Sequence, residues 1–185
     1  MKERIKDFFE NKKFARITRQ VSEDSNAISR GYIVDFSNDF IVIHETDDFK
    51  MLGYSILPIK DIKELRYNNY DRYYDKIMKW EQEKDNITLK SKVNLKNWKS
   101  IFETFQANKS NIIVYREDPE FDSFTIGSIE KVTTKSVYIL YFDANGFWDK
   151  EPTKIGFANI TKILFDDRYI DVFSKYTRKR KILSK

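Results

Sequence analysis

The chain has no cysteine and a single histidine among its 185 residues. Without thiols there are no disulfides, no thiolate metal sites and no cysteine nucleophile. The lone His44 has no second imidazole with which to share a metal. Only five glycines occur, none at the spacing of a phosphate cradle, and no serine sits in a nucleophile elbow. Long apolar runs are also missing. The longest, residues 137–142, falls far short of the roughly 20 residues that span a bilayer. Residues 1–13 mix Lys2, Glu3, Arg4, Lys6, Asp7 and Glu10 with only Ile5, Phe8 and Phe9, which is not the apolar stretch of a signal peptide. These absences point away from catalysis, metal, cofactor and membrane, and predict a cytoplasmic protein.

Aromatic residues are abundant instead. Fifteen Phe and eleven Tyr give a small core more buried area per side chain than aliphatics would. The net charge of +5 is local: residues 175–185 hold six bases (Lys175, Arg178, Lys179, Arg180, Lys181, Lys185) and no acid, leaving 34 − 6 = 28 bases against 29 acids elsewhere. The body is neutral and the tail carries the charge.

The chain also repeats itself. Gly31 and Ile33 recur as Gly127 and Ile129, an offset of 127 − 31 = 96; Ile41, Ile43 and Asp47 meet Val137, Ile139 and Asp143, and Asp71–Asp75 meets Asp167–Asp171. Ile59, Ile62, Leu65 and Tyr67 recur as Phe157, Ile160, Ile163 and Phe165 at an offset of 98, so the length difference falls in loops. A fixed period is the signature of a duplicated unit. Within each copy, alternation predicts strands at 14–21, 31–36, 40–46 and 53–58, with a loop at 47–52. The 3-3-2 steps predict one helical turn running into a fifth strand. Helices are expected near 1–11, 70–83 and 94–107, with residues 86–93 extended and polar. The second copy begins near 111, with Pro119 in a turn and Asp143-Ala-Asn-Gly146 as its tightest turn signal. A short helix or strand over 169–176 closes it, and the tail frays away.

This order of elements resembles the Sm-like small barrel, through Gly31, Ile33, Ile41, Ile43, Asp47, Ile62 and Leu65 and their second-copy counterparts Gly127, Ile129, Val137, Ile139, Asp143, Ile160 and Ile163. It also resembles a bacterial family of two-copy proteins with no assigned activity. That likeness is carried by Asp48-Phe49, Gly53-Tyr54 and Asp61-Ile62 in the first copy, and by Phe142-Asp143, Gly146 to Asp149, Ile160-Thr161 and Tyr169 in the second. The resemblance implies a mainly β (α+β) chain: two tandem Sm-like five-stranded barrels, related by internal duplication and braced by amphipathic helices. The expected boundaries are 1–86 for the first barrel with its helices, 87–110 for a helical linker, 111–176 for the second barrel and 177–185 for the basic tail. Neither long loop carries the Asn-and-basic pairing with which Sm-like proteins grip RNA.

No catalytic, cofactor or metal residues are singled out. Asp47, Asp48, Asp143, Asp149 and Glu151 lack the regular alternation of a calcium loop and read as turn formers. The stripe Tyr70, Tyr73, Tyr74, Ile77 and Trp80 reads as the face that packs on the barrel. Phe147 and Trp148, just past a tight turn, are candidate partner-binding residues, as are Arg178, Lys179, Arg180 and Lys181 of the tail. The expected function is a non-enzymatic binding module for another protein. The alternative is weak nucleic-acid binding through the tail and Lys90, Lys92, Lys96 and Lys99.

Overall fold

The computed structural model describes residues 1–118 and 123–179. The first half runs α1 (Lys2–Glu10), β1 (Phe14–Gln20), β2 (Asn26–Phe36), β3 (Phe40–Asp47), β4 (Lys50–Pro58), a 3-10 turn (Ile59–Asp61), β5 (Ile62–Arg66) and α2 (Asn69–Trp80). The second repeats that order: α3 (Trp98–Ala107), β6 (Ile112–Arg116), β7 (Ser123–Val132), β8 (Ser136–Tyr141), β9 (Thr153–Gly156), a 3-10 turn (Phe157–Asn159), β10 (Lys162–Phe165) and α4 (Arg168–Ser174). Between the halves, a 3-10 turn (Glu83–Asn86) and an irregular stretch lead to α3. Pro119 lies outside the described residues.

Two separate closed barrels are not what forms. Among the described residues, ten strands make one open antiparallel sheet in the order β5-β1-β2-β3-β4-β10-β6-β7-β8-β9. Each half contributes the same internal order, and the halves join where Tyr54, Ser55 and Ile56 of β4 pair with Phe165, Leu164 and Ile163 of β10. Pairing edge to edge satisfies backbone groups that two isolated sheets would leave exposed.

Local detail also recurs. The registers place Gly31 beside Glu45 and Gly127 beside Tyr141, and both ladders shift just beyond Ile33 and Ile129. Both glycines have unusual positive φ, +155° and +156°. A Cβ on either would strike the carbonyl oxygen of the facing strand, that of His44 or that of Leu140. Ile5 and Phe8 of α1, and Phe102 and Phe105 of α3, are buried ten and seven residues before Ala15 and Ile112, the residues that face Gly31 and Gly127 (15 − 5 = 112 − 102 = 10; 15 − 8 = 112 − 105 = 7). The helix expected as a linker thus holds in the second half the place of α1 in the first.

Two local expectations change. No long loop joins β3 to β4; Asp48 and Phe49, both at positive φ, make a two-residue turn, the backbone that suits a twisted hairpin. The closing helices also fall out of the 96-residue step. Their N-caps are Asn68 and Asp167, each accepting from an N–H of the first turn, so the offset there is 167 − 68 = 99.

The central core spans the junction. It combines Phe40, Val42, Tyr54 and Ile56 of the first half with Ile101, Phe102 and Phe105 of α3 and Ile139, Ile163 and Phe165 of the second. A second cluster packs Ile5 and Phe8 on Ile17, Ile33, Ile41 and Leu65. Arg19, fully buried, ties the halves together polarly. Its guanidinium donates to both Glu117 carboxylate oxygens (2.8 and 2.9 Å), to the Thr161 carbonyl (3.1 Å) and to Ser29 Oγ (3.0 Å). Among the described residues no helix is long and apolar enough to cross a membrane.

Candidate binding surfaces

Helix α2 shows what one surface is built to do. Asn68 opens it with a capping box: its side chain accepts from the N–H groups of Tyr70 and Asp71, and Asp71 accepts from the Asn68 N–H. The face turned to the sheet then carries Asp71, Asp75 and Met78, all buried. Asp71 receives a two-pronged bond from Arg66, both arms 2.8 Å. Burial alone would push its pKa up, but the Arg66 and Asn68 bonds and nearby cations outweigh that and hold it below 3.8. Asp75 accepts from the hydroxyls of Tyr32 (2.8 Å) and Tyr67 (3.0 Å) and pairs with Lys84 (2.8 Å). Burial first, then the bond to Asp75, raises both phenols, Tyr67 to about 12, so both stay protonated donors.

With both acids turned in, the aromatics turn out. The expected packing stripe faces solvent instead: Tyr70 is 82%, Tyr73 59% and Trp80 64% exposed. Among the described residues only Tyr74 of that stripe makes inward ring contacts, against Phe14 (4.3 Å) and Phe49 (4.8 Å). At 3.6 residues per turn, Tyr70, Tyr73, Ile77 and Trp80 form one stripe, and Arg72, Lys76 and Lys79 form the next. These three cations are exposed and make no ion pair among the described residues. Both acids within the helix are buried, and the one exposed acid at its ends is Glu81, the C-cap. Tyr73 and Trp80 meet edge to face, centroids 6.2 Å apart at 84°.

Two separately expected features come together elsewhere. Asp143 Oδ1 accepts from the N–H of Asn145 (2.9 Å) and Phe147 (3.0 Å), and Gly146 takes φ +78°; the turn is built as its residues suggest. Arg178 crosses this turn as a bridge partner of Phe147, donating from its N–H to the Gly146 carbonyl (2.7 Å) and accepting from the Trp148 N–H (3.2 Å). Its guanidinium lies 4.2 Å from the Phe147 ring centroid and donates to the Asn145 carbonyl (3.1 Å). Phe147 and Trp148 are half-buried, Trp148 against Phe142 at 5.1 Å. The tail thus docks through Arg178. Lys179 is exposed, and Arg180 and Lys181 lie outside the described residues.

The remaining candidates are quieter. His44 is buried and stacked on Tyr54 (4.4 Å), its Nε2 3.0 Å from the Leu52 carbonyl and its Nδ1 without a partner. Burial pushes its pKa below 6.5, opposed by the Leu52 contact. The Lys90 backbone approaches the Tyr54 hydroxyl without completing a bond of good geometry. Among the described residues no three His, Asp or Glu side chains converge as a metal site. A groove of about 570 Å³ has Phe40, Pro58, Ile59 and Trp98 in its walls and Lys2 and Lys60 among its polar residues. The linker lysines Lys90, Lys92, Lys96 and Lys99 are exposed, Lys99 beside Glu103 (3.4 Å).

Comparison of the chain with known families, curated proteins and solved structures finds no match.

The sequence pattern missed α2's orientation because apolar periodicity cannot register a buried carboxylate. The available signal was the company of those acids: Asp71 and Asp75 share a face with Met78, downstream of Arg66 and Tyr67.

Proposed function

We propose that this chain is a non-enzymatic interaction module for another protein, cytoplasmic and built from two tandem Sm-like units that arose by duplication. The matching strand order of the two halves, the paired glycines and the 3-10 turns before β5 and β10 support the duplication. One observation carries the binding role: α2 exposes Tyr70, Tyr73 and Trp80 while burying its two acids. Exposed rings forgo the burial free energy that an intramolecular contact would have supplied, and Tyr, Trp and Arg are the residues that anchor interfaces. Nucleic-acid binding through the tail and linker is the second reading, favoured by the exposure of Lys90, Lys92 and Lys96.

A photoreactive amino acid in place of Tyr73, with a control at the exposed Lys131 of β7 in the other half, tests the reading in cells. Protease-sensitive adducts of one discrete mass at position 73 and none at 131 are expected. Nuclease-sensitive adducts, or none at either position, would overturn it.

A further inference from the structure

We infer that the partner of α2 presents an acidic amphipathic helix, with carboxylates flanking an apolar stripe. This rests on the proposed interaction role and specifies its chemistry. Three observations select that occupant. The aromatic stripe is continuous and apolar, while Arg72, Lys76 and Lys79 line one side of it without an acid of their own. Asp71 and Asp75, the charges that would repel incoming carboxylates, are neutralised inside by Arg66 and Lys84. The rings of Tyr73 and Trp80 stand at 84° to one another. Consecutive stacked bases lie parallel, so these two rings do not form one stacking platform for them; a side chain wedged between helices accepts that geometry.

The dimensions fit a helix. With 12 residues, α2 is about 18 Å long at the usual rise, room for three turns of a partner whose apolar positions recur at i, i+3, i+4 and i+7. The exposed rings offer about 300–500 Å² at the usual area per aromatic side chain. That is below the roughly 800 Å² per partner of a standard stable interface, and it sets a weak, reversible contact. Carboxylates on the partner steer encounter and fix which side of the rings they meet.

The test uses the full chain and a fluorescein-labelled three-turn peptide with Leu and Phe on one stripe and Glu on both flanks. A Lys-for-Glu version of the peptide and an oligothymidylate serve as rival probes. Anisotropy should show the acidic peptide saturating and the Lys peptide at least about tenfold weaker, a difference of one decade in Kd. Tyr73→Ala with Trp80→Ala should cost about tenfold or more. Lys76→Glu with Lys79→Glu should invert the preference toward the Lys peptide. These positions are exposed, so circular dichroism should report an intact fold in each variant. Equal binding of both peptides, binding that survives the ring truncations, or binding of the oligonucleotide in their place would overturn the inference. If the crosslink at position 73 captures a protein while the acidic peptide fails, this inference falls and the interaction role stands.

Discussion

Removing Glu117 should destabilise the whole chain, because it strands a buried cation at the seam between the halves. Arg19 is 0% exposed, and two of its hydrogen bonds end on that carboxylate. Taking one partner from a buried pair leaves the other charge without compensation and costs about 3–5 kcal/mol. Glu117→Ala should therefore lose about that much. Arg19→Met should lose less, because the Glu117 side chain is 17% exposed and keeps its 2.7 Å bond from Thr161 Oγ. With both charges replaced by Met, the loss should be clearly smaller than the sum of the single losses. Urea unfolding at neutral pH, followed by circular dichroism and tryptophan fluorescence, measures all three, and the shared core should make the two probes coincide. A Glu117→Ala loss under about 1 kcal/mol, or additive losses in the double variant, would show that Arg19 does not depend on this carboxylate. The same pair adds a pH signature. Burial alone would raise the Glu117 pKa, but Arg19 and Thr161 hold it below 4.5. Its contribution is complete above that ordinary value and vanishes as pH falls through the lower folded value.

Gly127→Ala should cost more than about 2 kcal/mol, from backbone strain together with collision against the Leu140 carbonyl; Gly31→Ala should match it, and thermal melts of the pair read both. His44 is held neutral by burial, its pKa below 6.5. Its contribution is full above pH 6.5 and is lost on acidification, so urea midpoints of wild type should fall between pH 6.5 and 5 more than those of His44→Phe. The carboxylates Asp71 and Glu117 titrate below that window. Among the described residues the outer strands β5 and β9 each pair on one side only, yet Lys154 stands on β9 where Ile56 stands on β4, and Lys63 and Glu64 are exposed on β5. Charges on an open edge discourage further pairing. Wild type should sediment as a monomer, and Lys154→Ile should shift it toward head-to-tail association.

Much of the fold was legible because repeats report backbone demands. The glycines at 31 and 127 mark strand crossings that admit no side chain, and the 3-3-2 steps mark the 3-10 turns before β5 and β10. The joining of β4 to β10 was not legible, since strand alternation states which face a residue occupies and not which edge meets which. Helix α3 was read as a linker although Phe102 and Phe105 echo Ile5 and Phe8; conservative apolar exchange hides that echo. At the surface, Phe147 and Arg178 were named separately, and only the three-dimensional path of the chain seats one on the other. The outward turn of α2 was hidden because its buried face is anchored by charge.

The orientation of α2 can be measured through Trp80 alone. In a Trp98→Phe, Trp148→Phe background, Trp80 is the only tryptophan left. Its exposure of 64% beside Lys76 and Lys79 predicts red-shifted emission, ready quenching by acrylamide, and iodide quenching that exceeds caesium quenching and weakens with added salt. Blue-shifted emission shielded from acrylamide, or caesium matching iodide, would contradict the outward aromatic and cationic face on which the account rests.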